Sequence, residues 1–204
     1  MSCNSYRNMI SLEEKNQGWR IVKVDKNDEP TWIIYSRKLV GTKFLEFKIV
    51  GDIKSSPAAC VASFRQEIYN QADDLKNKKY PTYEIVEESK YSLLTYVIHH
   101  EPFPLKNTEM SVRYLFYKDT ESAAEEIKWI EAWEEDSVPP PSKKLSRVQT
   151  FRGFWQFSPI SIDHCKAVNS VQFNPKKMPR WLVSPMVTKF LIKGIEDIRE
   201  TTSK

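Results

Sequence analysis

The stretch NPKKMPRWLVSPMVTKFLIKGIEDIRE, residues 174–200, predicts a long amphipathic helix near the end of the chain. Either Asn174 or the pair of prolines Pro175 and Pro179 is predicted to begin this helix, because proline is favoured in a first helical turn. The apolar positions recur at three- and four-residue steps and cover a face that is wide for a surface helix. This face consists of Val183, Val187, Phe190, Leu191, Gly194 and Ile198, and is widened by Leu182, Met186 and Ile195.

Most of the chain before this helix has the pattern of β-strands. In the stretch 43–53, Leu45, Phe47 and Ile49 alternate with charged residues, which predicts a strand with one buried face. Runs of β-branched and aromatic residues bounded by turn residues indicate further strands. The predicted strands cover residues 19–24, 29–39, 43–53, 82–89, 91–101, 109–119, 125–136, 146–159 and 163–174.

A shorter helix is predicted between the third and fourth strands, over residues 57–75. Ser56 followed by Pro57 has the pattern of an N-cap and a first helical residue. Val61, Phe64 and Ile68 then follow at helical spacing, which predicts one apolar stripe along this segment.

The order of these elements predicts the fold class. Short connections between consecutive strands favour an antiparallel meander, and a twisted sheet of about nine strands curls. The concave face of such a sheet has to be covered, and the C-terminal helix is the largest apolar element available. We therefore predict an α+β fold in which a curved antiparallel sheet of about nine strands grips a long C-terminal helix. Residues 18–200 are expected to form one domain, after an N-terminal segment, residues 1–17, that contains a short helix.

Charge and cysteine content exclude several classes of function. The net charge of +4 comes from 31 basic and 27 acidic residues whose signs are interspersed, so we expect no nucleic-acid partner. Cys3, Cys60 and Cys165 have neither metal-ligand spacing nor the even number of a disulfide framework, which favours a reducing, cytoplasmic location. The sequence has no apolar run long enough to span a membrane, and the N-terminus lacks the apolar core of a signal peptide.

Four ordered segments resemble the START (StAR-related lipid transfer) domain of the helix-grip superfamily, which also contains Bet v 1 and the polyketide cyclases. The first, GWRIVKVDKNDEPTWIIYSRKLVGTKFLEFKIVGDIKSSPAAC, is similar to the opening strands of that family and to its entry into a helix. EPFPLKNTEMSVRYLF, GFWQFSP and NPKKMPRWLV resemble its later strands and the entry to its last helix. The resemblance covers residues 18–200 and implies the helix-grip fold and a function in binding or transferring a hydrophobic molecule.

The sequence departs from the family pattern at two places. Thr108-Glu109 replaces the usual Arg-Asp step, so the polar contact of that step in relatives does not carry over. Asn174-Pro175-Lys176-Lys177 replaces the usual Asp-Pro-Gly-Gly before the last helix. The two lysines place positive charge near a helix N-terminus, where the helix dipole disfavours it, and this hints at a partner such as an anionic membrane surface.

Polar residues on otherwise apolar strand faces are the candidates for ligand contact. Glu131 shares a strand face with Trp129, and Arg152 shares one with Phe154. A buried charge requires a partner, so Glu131 with Arg152 or Arg113 is predicted to form a polar anchor inside an apolar cavity. The alternative is that these faces point to water, because a shift of one residue exchanges the two faces of a strand. The predicted ligand-binding residues are Arg113, Glu131, Arg152, Asn169, Trp129, Phe154, Val187, Phe190, Leu191 and Gly194.

Arg113 has a second argument, which comes from the resemblance alone. It matches the arginine of the family's Val-Arg strand, which in some relatives lies in the cavity near a carboxylate. Glu101 or Glu131 would be its partner in this chain.

Sequence motifs for catalysis are missing. There is no Gly-x-Ser-x-Gly nucleophile motif and no glycine-rich phosphate loop. His99 and His100 are adjacent on a predicted strand, so their side chains point to opposite faces and cannot enter one site. We therefore predict no catalytic residue, no metal site and no cofactor.

Three functions remain as hypotheses. The first is a non-catalytic carrier of a hydrophobic small molecule or lipid, with a transient membrane contact as a further alternative. The second is an enzyme of the cyclase or aromatase type, in which Glu131, Arg113, Arg152 or a histidine would converge on the cavity. The third is an interaction module with a vestigial pocket, for which the acidic and aromatic stretch 125–136 is the first candidate surface. The sequence does not determine the oligomeric state.

Overall fold

A computed structural model describes residues 16–27, 31–101, 103–104, 106–174 and 180–203, without the side chains of residues 173 and 180–182. Residues 1–15 of the segment predicted to contain a short helix, together with Lys176 and Lys177, lie outside the described residues. The described elements are β1 (Arg20–Val24), β2 (Trp32–Lys38), β3 (Leu45–Ile53), α1 (Pro57–Asp73), β4 (Thr82–Glu88), β5 (Ser92–His99), β6 (Thr108–Lys118), β7 (Glu125–Glu131), β8 (Ser146–Arg147), β9 (Arg152–Ser161), β10 (His164–Phe173) and α2 (Arg180–Thr202).

The strands form one sheet in the order β1-β2-β3-β10-β9-β7-β6-β5-β4. All neighbours along this path are antiparallel, and the short strand β8 pairs in parallel with β6 outside it. The predicted α+β class, with a large antiparallel sheet and a long C-terminal helix, is confirmed.

Helix α1 lies across the strands on one face of the sheet. It packs against β4 at one edge of the sheet and also against β7 and β9. Four strand spacings, about 19 Å, separate β9 from β4, and a 17-residue helix is about 25 Å long, so α1 spans these strands. A twisted antiparallel sheet of this size curls, and α1 lies on its concave face. Helix α2 packs against α1 and β3, so the two helices cover the concave face together.

Helix α1 begins at the residue that the sequence predicts. The side chain of Ser56 accepts a hydrogen bond from the backbone N–H of Ala59 at 3.3 Å, and Pro57 is the first helical residue. The helix ends at Asp73, two residues before the predicted end. On its inner side the buried thiol of Cys60 lies 3.7 Å from that of Cys165 in β10, which packs α1 against the centre of the sheet.

Helix α2 buries the predicted apolar stripe. Val183, Val187, Leu191 and Ile195 are fully or almost fully buried in the main core, with Ile198 one turn beyond. At the C-terminal end of the helix, the Arg199 side chain donates to the backbone oxygens of Asp52 and Thr31. This end is therefore attached to the β2 and β3 side of the sheet.

The segment 132–148 differs from the prediction. The strand expected over 125–136 ends at Glu131, and the strand expected over 146–159 is divided into β8 and β9. The intervening segment crosses the convex face of the sheet, where Ala132 and Val138 cover Leu94 and Tyr96. This sheet therefore has apolar clusters on both faces.

A buried ion pair lies beneath that segment. Glu109 is 1% exposed and accepts a hydrogen bond from Arg147 at 3.0 Å and another from the hydroxyl of Tyr96 at 3.0 Å. The guanidinium of Arg147 also stacks on the ring of Trp133 at 3.8 Å. The glutamate at the position where the sequence departs from the START pattern thus holds the convex-face segment against the sheet.

Candidate ligand-binding cavity

A cavity of about 390 Å³ lies between the concave face of the sheet and the two helices. Its volume is within the range of small-molecule sites in proteins. The lining side chains from the sheet are mostly apolar or aromatic, and α1 and α2 supply the opposite wall. The apolar lining consists of Val97, Met110, Val112, Trp129, Trp155, Phe64, Ile68, Phe151, Phe190 and Ile198.

The charged lining residues lie at the mouth of the cavity. Glu67 and Lys79 are exposed, and Lys193 of α2 forms an ion pair with Asp197 one helical turn away. Uncharged polar groups near them form hydrogen bonds that link α1 to α2 and to the following loop: Ser63 with Thr201, and Asn77 with Gln71. The mouth is therefore polar, whereas the interior is largely apolar.

Two buried polar atoms of residues in the cavity wall have no hydrogen-bond partner among the described residues. They are Nε1 of Trp129 and Oδ1 of Asn169. Both side chains line the cavity, and they are only 5% and 2% exposed respectively. An unsatisfied buried polar group costs about 1–3 kcal/mol of stability, so each of these atoms is expected to lower the stability of the ligand-free protein.

Replacing Asn169 with leucine is expected to stabilise the ligand-free protein by about 1–2 kcal/mol, because an unpaired buried amide gives way to an apolar group of similar size. Urea unfolding of delipidated protein measures this change. The matched variant Ser170→Ala changes the adjacent buried residue, whose hydroxyl donates to Glu46, and should destabilise. A loss of more than about 1 kcal/mol in Asn169→Leu would show that the amide is satisfied in the ligand-free state.

Tyrosines form a third group along the cavity wall. Tyr80, Tyr83 and Tyr114 all line it, and the rings of Tyr80 and Tyr83 meet edge to face at 5.8 Å. Burial raises the pKa of Tyr83 and of Tyr114 above the ordinary value for a phenol. These hydroxyls are consequently neutral across the physiological pH range.

Four of the predicted site residues line the cavity. They are Trp129, Asn169, Phe190 and Gly194. Val187 and Leu191 belong instead to the core that α2 forms with the sheet. The helix therefore uses one strip of its apolar face for packing and an adjacent strip for the cavity.

The prediction that Arg113 points into the cavity is wrong, because Arg113 lies on the other face of strand β6. Its neighbours Val112 and Tyr114 line the cavity, so the side chain of Arg113 lies on the convex side. There it bonds to Glu87 at 2.6 Å and to Glu135 at 2.8 Å, rather than to either predicted partner.

Phe154, Glu131 and Arg152 also lie outside the cavity lining. Phe154 is opposite Lys128 on the convex side, because the next residue in β9, Trp155, points inward. Glu131 and Arg152 do pair with each other, as predicted, with Nε of Arg152 at 3.2 Å from Oε2 of Glu131. The Arg152 side chain is 44% exposed, so this pair lies beside the cavity and is not an anchor within it.

Sequence reasoning missed the wall that α1 contributes and the tyrosines of the opposite strands. The helical spacing of Phe64 and Ile68 predicts an apolar stripe, but it does not predict that this stripe lines a cavity. Tyr114 follows Arg113 directly and therefore points to the opposite face of β6. Because Arg113 was predicted to face the cavity, Tyr114 was not predicted as a lining residue. Val112, the apolar residue directly before Arg113, lies on the face of β6 that lines the cavity.

Two glycines beside the cavity give a matched pair of predictions. A Cβ at Gly153 would lie 2.1 Å from the backbone oxygen of Ser170 and 2.6 Å from Cζ2 of Trp129. Gly153→Ala is therefore expected to destabilise the protein by about 1–3 kcal/mol. A Cβ at Gly194 would lie 3.4 Å from Cζ2 of Trp155, so Gly194→Ala should be neutral or stabilising by up to about 1 kcal/mol. Thermal or urea unfolding measures both changes, and equal effects at the two positions would contradict the packing described here.

Comparison with known proteins identifies the fold. The STAR-related lipid transfer protein from Xanthomonas axonopodis superimposes with a TM-score of 0.69 at 17% identity, over 92% of this chain and 99% of that chain. The lipid transfer and protein localization domain of human StarD13 has a TM-score of 0.69 at 11% identity, over 99% of this chain and 98% of that chain. Human STARD10 has a TM-score of 0.69 at 16% identity, over 98% of this chain and 78% of that chain.

The chain therefore has the START-type helix-grip fold that the sequence resemblance implied. No protein-family model and no curated protein matches the sequence. Within the described residues, neither helix combines the length and the apolar character needed to cross a bilayer.

Proposed function

We propose that this protein binds a hydrophobic small molecule or lipid in the cavity and carries it without changing it chemically. The observation that carries this proposal is the cavity of about 390 Å³, with a largely apolar interior and charged residues at its mouth. The likeness to solved structures named as lipid transfer proteins supports the same function.

The enzyme hypothesis has less support. Its predicted proton-transfer residues Glu131, Arg113 and Arg152 do not converge on the cavity, and no histidine is among the described residues that line it. Burial moves the pKa values of Tyr83 and Tyr114 away from neutrality, and acid–base catalysis is most effective when a pKa lies near the working pH. Both observations favour binding over catalysis.

The hypothesis of an interaction module also has less support. In the stretch 125–136, Trp129 lines the cavity and Trp133 donates its indole N–H to the backbone oxygen of Val148. Only Ile130 among the large apolar residues of this stretch is substantially exposed. One exposed isoleucine does not make an apolar patch of the size that marks a protein interface.

A transient membrane contact is part of the proposal for ligand exchange. Phe190 is 48% exposed at the edge of the cavity, and Met186 lies one helical turn before it with a similar exposure. Apolar side chains in such a position can enter the headgroup region of a bilayer while a ligand crosses. The cytoplasmic location remains a prediction from the cysteine content.

Extraction of purified protein with organic solvent, followed by mass spectrometry, tests the proposed function. The protein is expected to release a hydrophobic compound at up to one molecule per chain, and the cavity-blocked variant Gly194→Leu should release none. If the protein and that variant release the same compounds in the same amounts, the cavity does not bind them and the proposal is wrong.

A further inference from the structure

Two cysteine thiols are in contact where helix α1 meets the sheet. Cys60 is the fourth residue of α1, and Cys165 is the second residue of β10. Their sulfur atoms lie 3.7 Å apart, although the two positions are separated by 105 residues in the chain. Both residues are fully buried, and both thiols are free. The sulfur atoms need to approach each other by less than about 2 Å to form a covalent bond.

The contact makes the two thiols chemically unequal. The hydrogen bond to Cys165, together with burial, raises the pKa of the Cys60 thiol above its ordinary value. The hydrogen bond that Cys165 receives from Cys60 lowers the pKa of the Cys165 thiol. Peroxides react with the thiolate form of cysteine, and the first product is captured by a neighbouring thiol. Cys165 therefore has the properties of the attacking thiol, with Cys60 placed as its partner.

The edge of the sheet beside Cys165 is irregular. Cys165 is opposite Pro159 of β9, and the next residue of β9, Ile160, has no partner in β10 because of a bulge. Proline has no backbone N–H, and a bulge interrupts the ladder, so few hydrogen bonds hold this end of the strand pair. The adjoining turn contains Ile162, which is 92% exposed. A weakly bonded strand end beside an exposed turn opens locally more readily than the core does, and such openings admit a molecule as small as hydrogen peroxide.

We infer that Cys60 and Cys165 form a redox site, at which a peroxide oxidises the two thiols to a disulfide that joins α1 to β10. This inference goes beyond the proposed function and does not depend on ligand binding. It assigns a chemical role to two buried groups that the cavity does not use.

The reaction proceeds in two steps. The Cys165 thiolate attacks one oxygen of hydrogen peroxide, the O–O bond breaks, and Cys165 becomes a sulfenic acid while hydroxide leaves. The Cys60 sulfur then attacks the sulfur of that sulfenic acid, the S–O bond breaks, and the disulfide forms. The two hydroxides take up the protons that the two thiols lose. In total, two thiols are oxidised and one hydrogen peroxide is reduced to two water molecules.

The disulfide has a structural consequence. Phe64 and Ile68 follow Cys60 on α1 by one and two helical turns, and both line the cavity. The bond therefore fixes the start of the helix that forms this wall to the sheet. A cross-link between positions so distant in the chain also restricts the unfolded state, so the oxidised protein is expected to be more stable than the reduced protein.

Peptide mapping of the full chain tests whether the bond forms. Folded protein is treated with hydrogen peroxide, the remaining thiols are alkylated after unfolding, and the digest is analysed by mass spectrometry without reduction. We expect the peptide that contains Cys60 to be linked to the peptide that contains Cys165, at a mass lower by two hydrogen atoms. If both thiols are recovered alkylated, or if Cys165 is oxidised to a sulfinic or sulfonic acid without the link, the inference is wrong.

Urea unfolding tests whether the bond fits the folded protein. The midpoint of the oxidised protein is expected to be at least about 1 M urea higher than that of the reduced protein, and dithiothreitol should reverse the change. This comparison uses the unmodified chain, so it does not require any variant to fold. An unchanged or lower midpoint would show that the folded structure does not accommodate the disulfide, and would overturn the inference.

Cys60→Ala and Cys165→Ala are the matched control variants. Each retains one thiol of the pair, so neither should show a rise in midpoint after peroxide treatment. A rise in either variant equal to that of the unmodified protein would assign the effect to another group and contradict the inference. Extraction of bound compounds and mapping of the disulfide are separate measurements, so failure of the redox site is distinguishable from failure of the proposed function.

Discussion

Replacing Arg147 with methionine is expected to lower the free energy of unfolding by about 3–5 kcal/mol, because the substitution leaves Glu109 charged, buried and without its cation. Glu109 is 1% exposed, and its other described partner is the neutral hydroxyl of Tyr96. The substitution also removes the guanidinium that stacks on Trp133. Urea denaturation followed by circular dichroism measures the change.

The double variant Glu109→Leu/Arg147→Met is the matched control. With both charges removed, the convex-face site becomes apolar, and replacing a buried ion pair by apolar residues is often neutral or stabilising. We expect the double variant to recover most of the stability that the single variant loses. A single variant that loses less than about 1 kcal/mol would show that water reaches Glu109 and that segment 132–148 does not seal this face.

The second large effect is expected on binding. Gly194→Leu places a branched side chain over Asn169 and Trp155, where a Cβ alone already lies 3.4 Å from Cζ2 of Trp155. We expect at least about a 100-fold loss of affinity for 1-decanol, which is about 2.7 kcal/mol, with the fold retained. Calorimetry measures the affinity, and circular dichroism verifies the fold.

Gly194→Ala is the matched control for that substitution. Its methyl group fits at ordinary van der Waals distance from the Asn169 amide, so the affinity should remain within a few-fold of the original. If Gly194→Leu binds 1-decanol as the unmodified protein does, the ligand does not occupy the space beneath α2.

The overall fold could be predicted because its signals are periodic and local. The apolar stripe of α2, from Val183 to Ile198, follows from helical spacing alone, and the N-cap at Ser56 follows from two adjacent residues. The strand segments followed from the pattern of β-branched and aromatic residues. The curl of the sheet follows from the number of twisted antiparallel strands.

The direction of the strand faces could not be predicted as well. The alternation of side chains along a β-strand divides its residues between the two faces of the sheet. The alternation alone does not show which of the two faces points towards the helices. Arg113 and Phe154 were assigned to the wrong side because this sheet also has apolar residues on its convex face, including Leu94 and Tyr96. Asn169 lies on the face of its strand that carries Ala167 and Val171, and all three side chains are buried.

Contacts between segments that are distant in the chain could not be predicted from the sequence either. The burial of Glu109 depends on the segment 132–148, which folds back over the convex face and brings Arg147 to it. The close approach of Gly194 to Trp155 and Asn169 depends on where α2 lies over β9 and β10. Neither arrangement follows from a local sequence pattern, because each depends on how distant segments pack against the folded sheet.

Quenching of tryptophan fluorescence by a brominated alcohol tests the central claim, that the space between sheet and helices receives a ligand. Among the tryptophans whose side chains the structure describes, Trp129 and Trp155 line the cavity, so 2-bromodecan-1-ol is expected to quench part of the emission. Saturation at one molecule per chain, and its loss in Gly194→Leu, is the result that the account predicts. Quenching that rises linearly without saturation, or that is the same in the Gly194→Leu variant, would contradict it.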